Sequence, residues 1–253
     1  MNRKTALVTG ASSGIGRATA LRLAEEGFNL VICGRRKEQL EQLQKELPSD
    51  CQSHQLLFDV RDQAEVFKAI ESLPIQFKSI EILVNNAGNA HGLDPFQEAP
   101  LDDFNAMIDI NVKGLLYVSK AVLPIMLDRN KGHIINIGST AAKEVYPNGS
   151  VYCASKAAVD AITKGMQLDL NKTDIKVGAI HPGLVQTSFS EVRFKGDQQR
   201  ADQVYKGFKA LQAEDIADII AFVVTRPFHV NIADLVIMPT AQANSVTVNK
   251  KTD

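Results

Sequence analysis

Seven short apolar runs recur along the chain, most of them parted by stretches whose apolar positions repeat at helical spacing. The first, Thr5–Thr9 (TALVT), is rich in β-formers and ends at Gly10. Residues 15–26 follow with a helical pattern, and Gly27 is suited to end that helix. Residues 29–33 (NLVIC) predict a second strand, and residues 37–47 a charged amphipathic helix stopped by Pro48. Residues 55–58 predict a third strand, residues 64–73 a helix, and Ile80–Asn85 (IEILVN) a fourth strand. A long helical stretch covers residues 104–129. Residues 133–137 (HIINI), 176–180 (KVGAI) and 235–238 (LVIM) complete the seven. Strands that alternate with helices and are apolar on both faces belong in a parallel sheet covered on each side. The predicted fold class is therefore α/β: a doubly wound, seven-stranded parallel sheet with helices on both faces.

No repeat, low-complexity tract or linker divides the 253 residues, so one domain spanning 1–253 is expected. The polar stretch 187–210 lacks strand signal; in such a sheet it is a candidate substrate lid. Residues 249–253 read as a frayed tail. Hydrophobic residues make up 45% and charged residues 23%, enough for a full core. A net charge of -1 gives no general attraction to nucleic acid or a lipid surface. Neither partner is expected. Cys33, Cys51 and Cys153 form no CxxC pair, which points away from zinc or a disulfide framework and toward a reducing cytosol. Cys153 has no obvious histidine partner and reads as a buried bystander. The opening MNRKTALVTG lacks the apolar run of a secretory signal, and no run approaches the ~20 apolar residues of a membrane span. The expectation is a soluble, cytoplasmic protein with no metal site.

The first candidate site follows the first strand. Thr9-Gly10-Ala11-Ser12-Ser13-Gly14-Ile15-Gly16 joins it to the first helix. Gly10 permits a tight turn, Gly14 and Gly16 let backbone approach a pyrophosphate, and the helix N-terminus adds free N–H donors and positive dipole charge. Gly10, Ser12, Ser13, Gly14, Ile15 and Gly16 are thus candidate dinucleotide contacts on a Rossmann-type sheet. An NAD site usually carries an acid at the end of the second strand, but here that strand ends Cys33-Gly34-Arg35-Arg36. Two guanidinium groups suit a dianionic 2′-phosphate, which predicts NADP(H) with Arg35 and Arg36 as ligands. The bland alternative is a solvated arginine at a helix start, and it fits Arg36 better than Arg35. Asp59, with Val60 beside it, could accept from an adenine amino group. Asn86, Ala87 and Gly88 would let the chain pass close to the adenine ribose; an unliganded turn is the other reading.

The second candidate site is Tyr152 and Lys156, which share a helix face at i, i+4, with Ser139 one short loop upstream. Ketone reduction needs a hydride at carbon and a proton at the developing alkoxide. A tyrosine of pKa ~10 must move by roughly three units, about 4 kcal/mol, to titrate near neutrality. A lysine ammonium at ~4 Å supplies a Coulomb energy of that size at an effective dielectric near 20. Ser139 would hold the substrate oxygen, and Asn111 could bridge to Lys156 through water. His133 reads as structural; His181, before Pro182, could line the pocket. His91 has no visible metal partners.

With TGASSGIG, NNAG, the set Asn111–Ser139–Tyr152–Lys156 and His181-Pro182-Gly183 in order, the chain resembles the short-chain dehydrogenase/reductase family to about Thr240. The resemblance implies Tyr152 as acid/base, Lys156 as pKa modulator and nicotinamide-ribose ligand, Ser139 as substrate orienter and Asn111 as relay. It also implies that Pro182, Gly183, Val185 and Thr187 border the nicotinamide, and that the protein is a homotetramer. GHIINIGSTA, VRFKGD and the stretch 229–239 further resemble the NADP-dependent 3-hydroxy acid dehydrogenases, which oxidise L-allo-threonine, L-serine and similar acids. Such substrates need a cation or N–H donors for their carboxylate. Arg193 and Lys195 are the candidates, with solvated lid charges as the alternative. Lys143-Glu144-Val145 is more charged than that resemblance implies. A broad carbonyl or 3-ketoacyl reductase is the second enzyme reading. A non-catalytic dinucleotide sensor is the third, disfavoured because Ser139, Tyr152 and Lys156 are all present.

Overall fold

In the computed structural model, which describes residues 3–251, the seven apolar runs are all strands. They are β1 (Thr5–Thr9), β2 (Asn29–Gly34), β3 (Ser53–Leu57), β4 (Ile80–Asn85), β5 (Gly132–Ile137), β6 (Ile175–Pro182) and β7 (Asp234–Ile237). They pair in the order β3-β2-β1-β4-β5-β6-β7, every neighbour parallel. Strand side chains alternate between two cores. Ala6, Val8, Leu30, Ile32, Ile82, Val84, Ile135 and Ile137 face one, while Leu7, Val31, Leu83 and Ile134 face the other. Because both faces are covered, the central strands β1, β2, β4, β5 and β6 show no polar alternation, whereas the edge strands β3 and β7 are only partly buried.

The first core is closed by α1 (Gly14–Glu25), α2 (Lys37–Glu46) and, at the far end of the chain, α9 (Ala213–Val224), through Leu23, Leu40, Ile216 and Ile220. The second is closed by α3 (Gln63–Glu71) and α5 (Leu115–Asp128), through Val66, Val118, Val122 and Met126, with Met166 of α6 (Ser150–Asp169) at its edge. The chain winds outward from β1 to β3, then crosses back to place β4 on β1's other side. The turns leaving β1 and β4 diverge there and open a crevice at the strand C-termini.

The stretch predicted as one helix over 104–129 differs in two ways. It begins at Leu101, as α4 (Leu101–Ile108), and it is interrupted by a π-helical segment, Asp109–Gly114, before α5. The cause is tertiary. Asn111, 2% exposed, accepts from the Asn89 amide at 2.8 Å and donates to the Asn89 carbonyl at 2.8 Å and Ser155 Oγ at 3.0 Å. Those bonds reward an extra residue in the turn, a common origin of such bulges. Leu101–Asp128 is also long and apolar enough to cross a membrane by length and composition, contrary to the sequence expectation. It is a core helix: Val118, Val122 and Met126 are at most 1% exposed against the sheet.

The polar stretch after β6 holds two short helices, α7 (Phe189–Arg193) and α8 (Gln198–Tyr205). Residues 249–251 correct the expectation of a frayed tail. Asn249 donates to the Ala241 carbonyl and Lys251 to the Gly207 carbonyl, both at 2.8 Å, and Lys250 Nζ reaches the Gln203 and Val204 carbonyls. Thr252 and Asp253 lie outside the described residues, as do Met1 and Asn2 of the opening segment.

Candidate active site

The C-terminal ends of the strands open into a cleft of about 760 Å³. It is lined by Gly10, Ser12, Ser13, Gly14, Ile15, Arg35, Arg36, Asp59, Val60, Asn86, Ala87, Gly88, Ser139, Tyr152, Lys156, Pro182, Gly183, Val185, Thr187 and Arg193. These are residues singled out from sequence; Gly16, Asn111, His181 and Lys195, also singled out, do not line it.

At the glycine turn, Gly10 (φ 65) and Gly14 (φ 52) adopt the left-handed conformation that glycine enters without strain. Gly16 has another job than the one expected. A Cβ there would sit 2.4 Å from the Gly10 carbonyl oxygen and 2.4 Å from Asn86 Nδ2, so Gly16 lets α1 press against the turn rather than exposing backbone to a ligand. The N-terminus of α1 has no acidic residue in its first turn, and Ser13, its N-cap, makes no side-chain cap. Its free N–H groups and dipole are left for an anion. Thr9 holds the opposite wall: its hydroxyl accepts from the Asn86 and Ala87 amides at 3.0 Å, tying β1 to the β4 turn. Sequence reasoning passed over Thr9, because a threonine ending a strand carries no pattern of its own.

The two arginines reach different partners. Arg36 is exposed, and its Nη2 donates to Ser12 Oγ at 2.9 Å and Ser13 Oγ at 2.7 Å, placing the guanidinium over the glycine turn. Arg35 is also exposed and reaches Asp59 at 3.2 Å. Asp59 is also gripped by Arg61 at 2.6 Å. Partial burial opposes its ionisation, but the Arg61 hydrogen bonds and the two arginine charges prevail and hold its carboxyl at about 2. Both carboxylate oxygens are thereby engaged, so an adenine amino group would have to share an acceptor.

Deeper in the cleft, Ser139 leaves β5 and caps a short 3₁₀ turn, Thr140–Ala142, by accepting from the Ala141 amide at 3.1 Å. Tyr152 and Lys156 face it from α6, and both are buried. Lys156 Nζ donates to the Ile137 carbonyl at 3.0 Å, and burial lowers its pKa to about 8. Burial pushes the Tyr152 phenol well up, with the Tyr146 hydroxyl adding to the effect; a hydrogen bond from Ser139 and the charge of Arg193 pull the other way. Asn111 does not face Lys156 with a free amide; both ends of its side chain are spent on Asn89 and Ser155. Cys153 is buried beside Tyr152 among Ala90, Met107 and Ala141.

Arg193 comes from α7 into the cleft. Its Nε donates to the Gly92 carbonyl at 3.2 Å and its Nη2 to the Tyr146 hydroxyl at 3.1 Å. Its guanidinium carbon lies 5.5 Å from the Tyr152 ring centre. The solvated-lid alternative does not describe Arg193. Lys195 instead pairs with Asp103 of α4 at 2.9 Å, outside the cleft wall, so it is not the second carboxylate ligand. Tyr146 and Phe189, whose ring centre is 5.8 Å from that of Tyr152, complete the pocket and were not singled out from sequence. The only signal for Tyr146 was an aromatic in a polar loop six residues before Tyr152. His133 is structural: it is 2% exposed at the start of β5. His91 contacts Asn89 at 2.7 Å.

The family model for short chain dehydrogenases matches residues 4–198. The chain belongs to that family. Among curated short-chain dehydrogenases, it is 46% identical over 238 residues to the NADP-dependent 3-hydroxy acid dehydrogenase YdfG of Salmonella typhi, covering 94% of this chain and 95% of that one. It is 44% identical to sulfoacetaldehyde reductase 2 of Chromohalobacter salexigens, covering 94% of each. Among solved structures, the closed form of serine dehydrogenase complexed with NADP⁺ superposes with a TM-score of 0.92 at 43% identity, over 98% of this chain and all of that one. This short-chain dehydrogenase is an oxidoreductase, and its cofactor is NADP(H). The cradle fits that cofactor on its own terms: left-handed glycines, an uncapped helix N-terminus without competing acid, and two arginines at the ribose end of the turn.

Proposed function

We propose that this short-chain dehydrogenase interconverts a small 3-hydroxy acid, of the serine, allo-threonine or 3-hydroxyisobutyrate type, with its keto form, using Tyr152 as acid/base. The observation that carries the reading is Arg193, a guanidinium held beside the face of Tyr152 by Tyr146 and Gly92. The related proteins fit a common substrate layout. In a 3-hydroxy acid and in sulfoacetaldehyde alike, the carbon that gains or loses hydride is one carbon removed from an anionic group. Arg193 is the cation for that group, since a guanidinium presents a planar fork to an oxyanion.

In oxidation, Ser139 orients the substrate hydroxyl and Tyr152 takes its proton as hydride leaves the carbon. In reduction, Tyr152 returns a proton to the developing alkoxide. The cofactor, when bound, would supply the hydride exchange that these residues match with a proton. A phenol pushed up by burial is a poor base, so the nearby positive charge of Arg193 and the Ser139 hydrogen bond serve to make the phenolate accessible. Lys156, lowered to about 8, still carries its charge in most molecules at neutral pH and adds to that field. Around the cradle, Arg35 and Arg36 would hold the 2′-phosphate, and Gly10, Ser12, Ser13 and Gly14 would meet the pyrophosphate. Asn86, Ala87 and Gly88 would pass the adenine ribose, and Pro182, Gly183, Val185 and Thr187 would border the nicotinamide.

Residues 187–210 act as the lid. The Gly92 amide donates to the Arg193 carbonyl at 2.9 Å, and this bond, with the Lys195–Asp103 pair, latches α7 to the loop beyond β4. The protein is read as cytoplasmic, in keeping with three unpaired cysteines. It is also read as a homotetramer associating through α5 and α6, where Leu116, Leu127 and Leu168 are exposed. A strict monomer by light scattering would count against that assembly.

The deciding assay offers L-serine, L-allo-threonine and 3-hydroxyisobutyrate with NADP⁺, and NAD⁺ in parallel, followed by NADPH absorbance. Turnover with NADP⁺ on any of the three supports the reading. Silence on all of them, with NADPH-dependent reduction of larger ketones, replaces it with the broad carbonyl reductase.

A further inference from the structure

Lys143, unexpected in its charge, lies just past the turn that Ser139 caps, and it does not face solvent alone. Its Nζ bridges Asp160 of α6 at 3.0 Å and Asp234 of β7 at 2.7 Å. The same two carboxylates receive the ring of His181, at the end of β6. Nε2 lies 3.1 Å from Asp234 and 3.5 Å from Asp160, and the residue has no exposed surface. The ligand-type atoms of Asp160, His181 and Asp234 lie within 4.8 Å of one another, a spacing that suits a cation. The cation there is the protein's own ammonium.

The other side of the ring touches the catalytic loop. His181 Nδ1 is 3.3 Å from the Ser139 amide nitrogen and 3.2 Å from the Ser139 carbonyl oxygen. Its ring lies so close to the backbone that a Cβ on Gly138 would fall 2.2 Å from Nδ1. Ser139 is therefore bounded twice by one circuit: its amide meets His181, and the turn it caps is tethered by Lys143 to the acids His181 faces.

We infer that His181 is a positioning residue for Ser139, its neutral Nε2–H tautomer turned toward Asp234 and Asp160 so that Nδ1 accepts the Ser139 amide. The inference rests on Ser139 as the hydroxyl that orients substrate. The Ser139 amide favours a bare Nδ1, and the proton then sits on Nε2 in the field of both carboxylates, though neither is aligned for a hydrogen bond to it; a proton on Nδ1 would instead set the bare Nε2 against Asp234. Protonating the ring converts Nδ1 to a donor, turns it from the Ser139 amide to the Ser139 carbonyl, and rotates the peptide that aims the hydroxyl. The charged groups around the ring are Asp160 from α6, with Lys164 paired to it at 2.7 Å, Asp234 from β7, and Lys143 from the turn after β5. Burial and Lys143 disfavour the charged ring, outweighing Asp234 and Asp160, so its pKa lies below the ordinary histidine value. Function falls as pH drops through that value.

The circuit can be cut one bond at a time. Asparagine Oδ1 can occupy the place of Nδ1, so His181→Asn keeps the acceptor for Ser139, whereas His181→Leu removes it. The expected result is a fall in kcat of about 10- to 100-fold for His181→Leu, the scale of a small misplacement at a reacting centre. KM for NADP⁺ should hold, and His181→Asn should recover most of the loss. Equal kcat for leucine and asparagine variants would overturn the inference. Should the leucine variant not fold, two outlying substitutions test the same point through the acidic limb of kcat/KM. Lys143→Met removes the opposing cation and should move that limb to higher pH; Asp234→Asn removes a favourable anion and should move it lower. Limbs that stay fixed, or move together, refute the role of His181. Ser139→Ala separates the two levels. If it leaves kcat intact, the reading of Ser139 fails; if it cripples kcat while His181→Leu does not, only the present inference fails.

Discussion

Replacing Arg193 with glutamine removes a positive charge from beside Tyr152 while keeping a side chain long enough to hydrogen-bond. In the structure this guanidinium spends Nε on the Gly92 carbonyl and one Nη on the Tyr146 hydroxyl. Its charge remains available to a substrate anion beside the phenol. A hydrogen bond to a charged group is worth about 1.5–3 kcal/mol. At about 1.4 kcal/mol per decade, that converts to a loss of roughly 10- to 100-fold in kcat/KM. The loss belongs to acids only. The assay compares 3-hydroxyisobutyrate with its methyl ester, which has the same hydroxyl and carbon frame without the charge. Arg193→Gln should depress the acid by that factor and the ester by a few-fold at most, the latter through a looser lid contact at Gly92. Arg193→Lys should fall between, since an ammonium restores charge without the fork. A second signature is independent of substrate charge. With Arg193 gone, one of the influences lowering the Tyr152 pKa is lost, so the pH at which oxidation reaches its plateau should rise. Equal losses on acid and ester would refute the carboxylate role and leave Arg193 as a lid latch.

Tyr152→Phe should abolish turnover while NADPH binding, read by fluorescence titration, stays nearly intact; retained turnover would sink the acid/base assignment. Arg36→Ala and Arg35→Ala should each weaken NADP⁺ by about 10-fold or more while barely changing NAD⁺, on the scale of one charge-assisted hydrogen bond. Equal losses on both nucleotides would argue against a phosphate role. Gly16→Ala should destabilise the protein by about 1–3 kcal/mol in denaturant melts, because the new methyl must displace the Gly10 carbonyl or Asn86; wild-type stability would show that the turn relaxes freely. His133 is buried at the start of β5, and burial, with Lys176 contributing, lowers its pKa to about 3. The unfolded chain therefore binds one more proton there between pH ~6.5 and about 3, and stability is lost as pH falls through that window by up to about 1.4 kcal/mol per unit. His133→Leu should flatten that acid slope in urea titrations, and an unchanged slope would assign it to other groups.

What the sequence determined by itself was everything written in neighbouring residues. The central strand runs are apolar on both faces because helices cover both, and that pattern implied the parallel sheet. The glycine turn, the Arg35-Arg36 pair and the i, i+4 spacing of Tyr152 and Lys156 are likewise local, so their chemistry was legible before any fold was known. Tertiary structure decided which groups meet across the chain. Arg193 finds Gly92, Lys143 finds Asp234, and Glu144 takes the Ser245 amide at 2.9 Å, each pair about a hundred residues apart. Nothing in the spacing of those residues announces such contacts. The π-helical turn at Asn111 was hidden for the same reason, since its extra residue is held by Asn89 and Ser155 rather than by helix periodicity. Residues 249–251 looked like a loose end because their hydrogen-bond acceptors, on Ala241, Gly207 and α8, belong to other segments. Backbone pattern is a property of the chain. Which side chain satisfies which buried donor or charge is a property of the packing, and the site's specificity resides there.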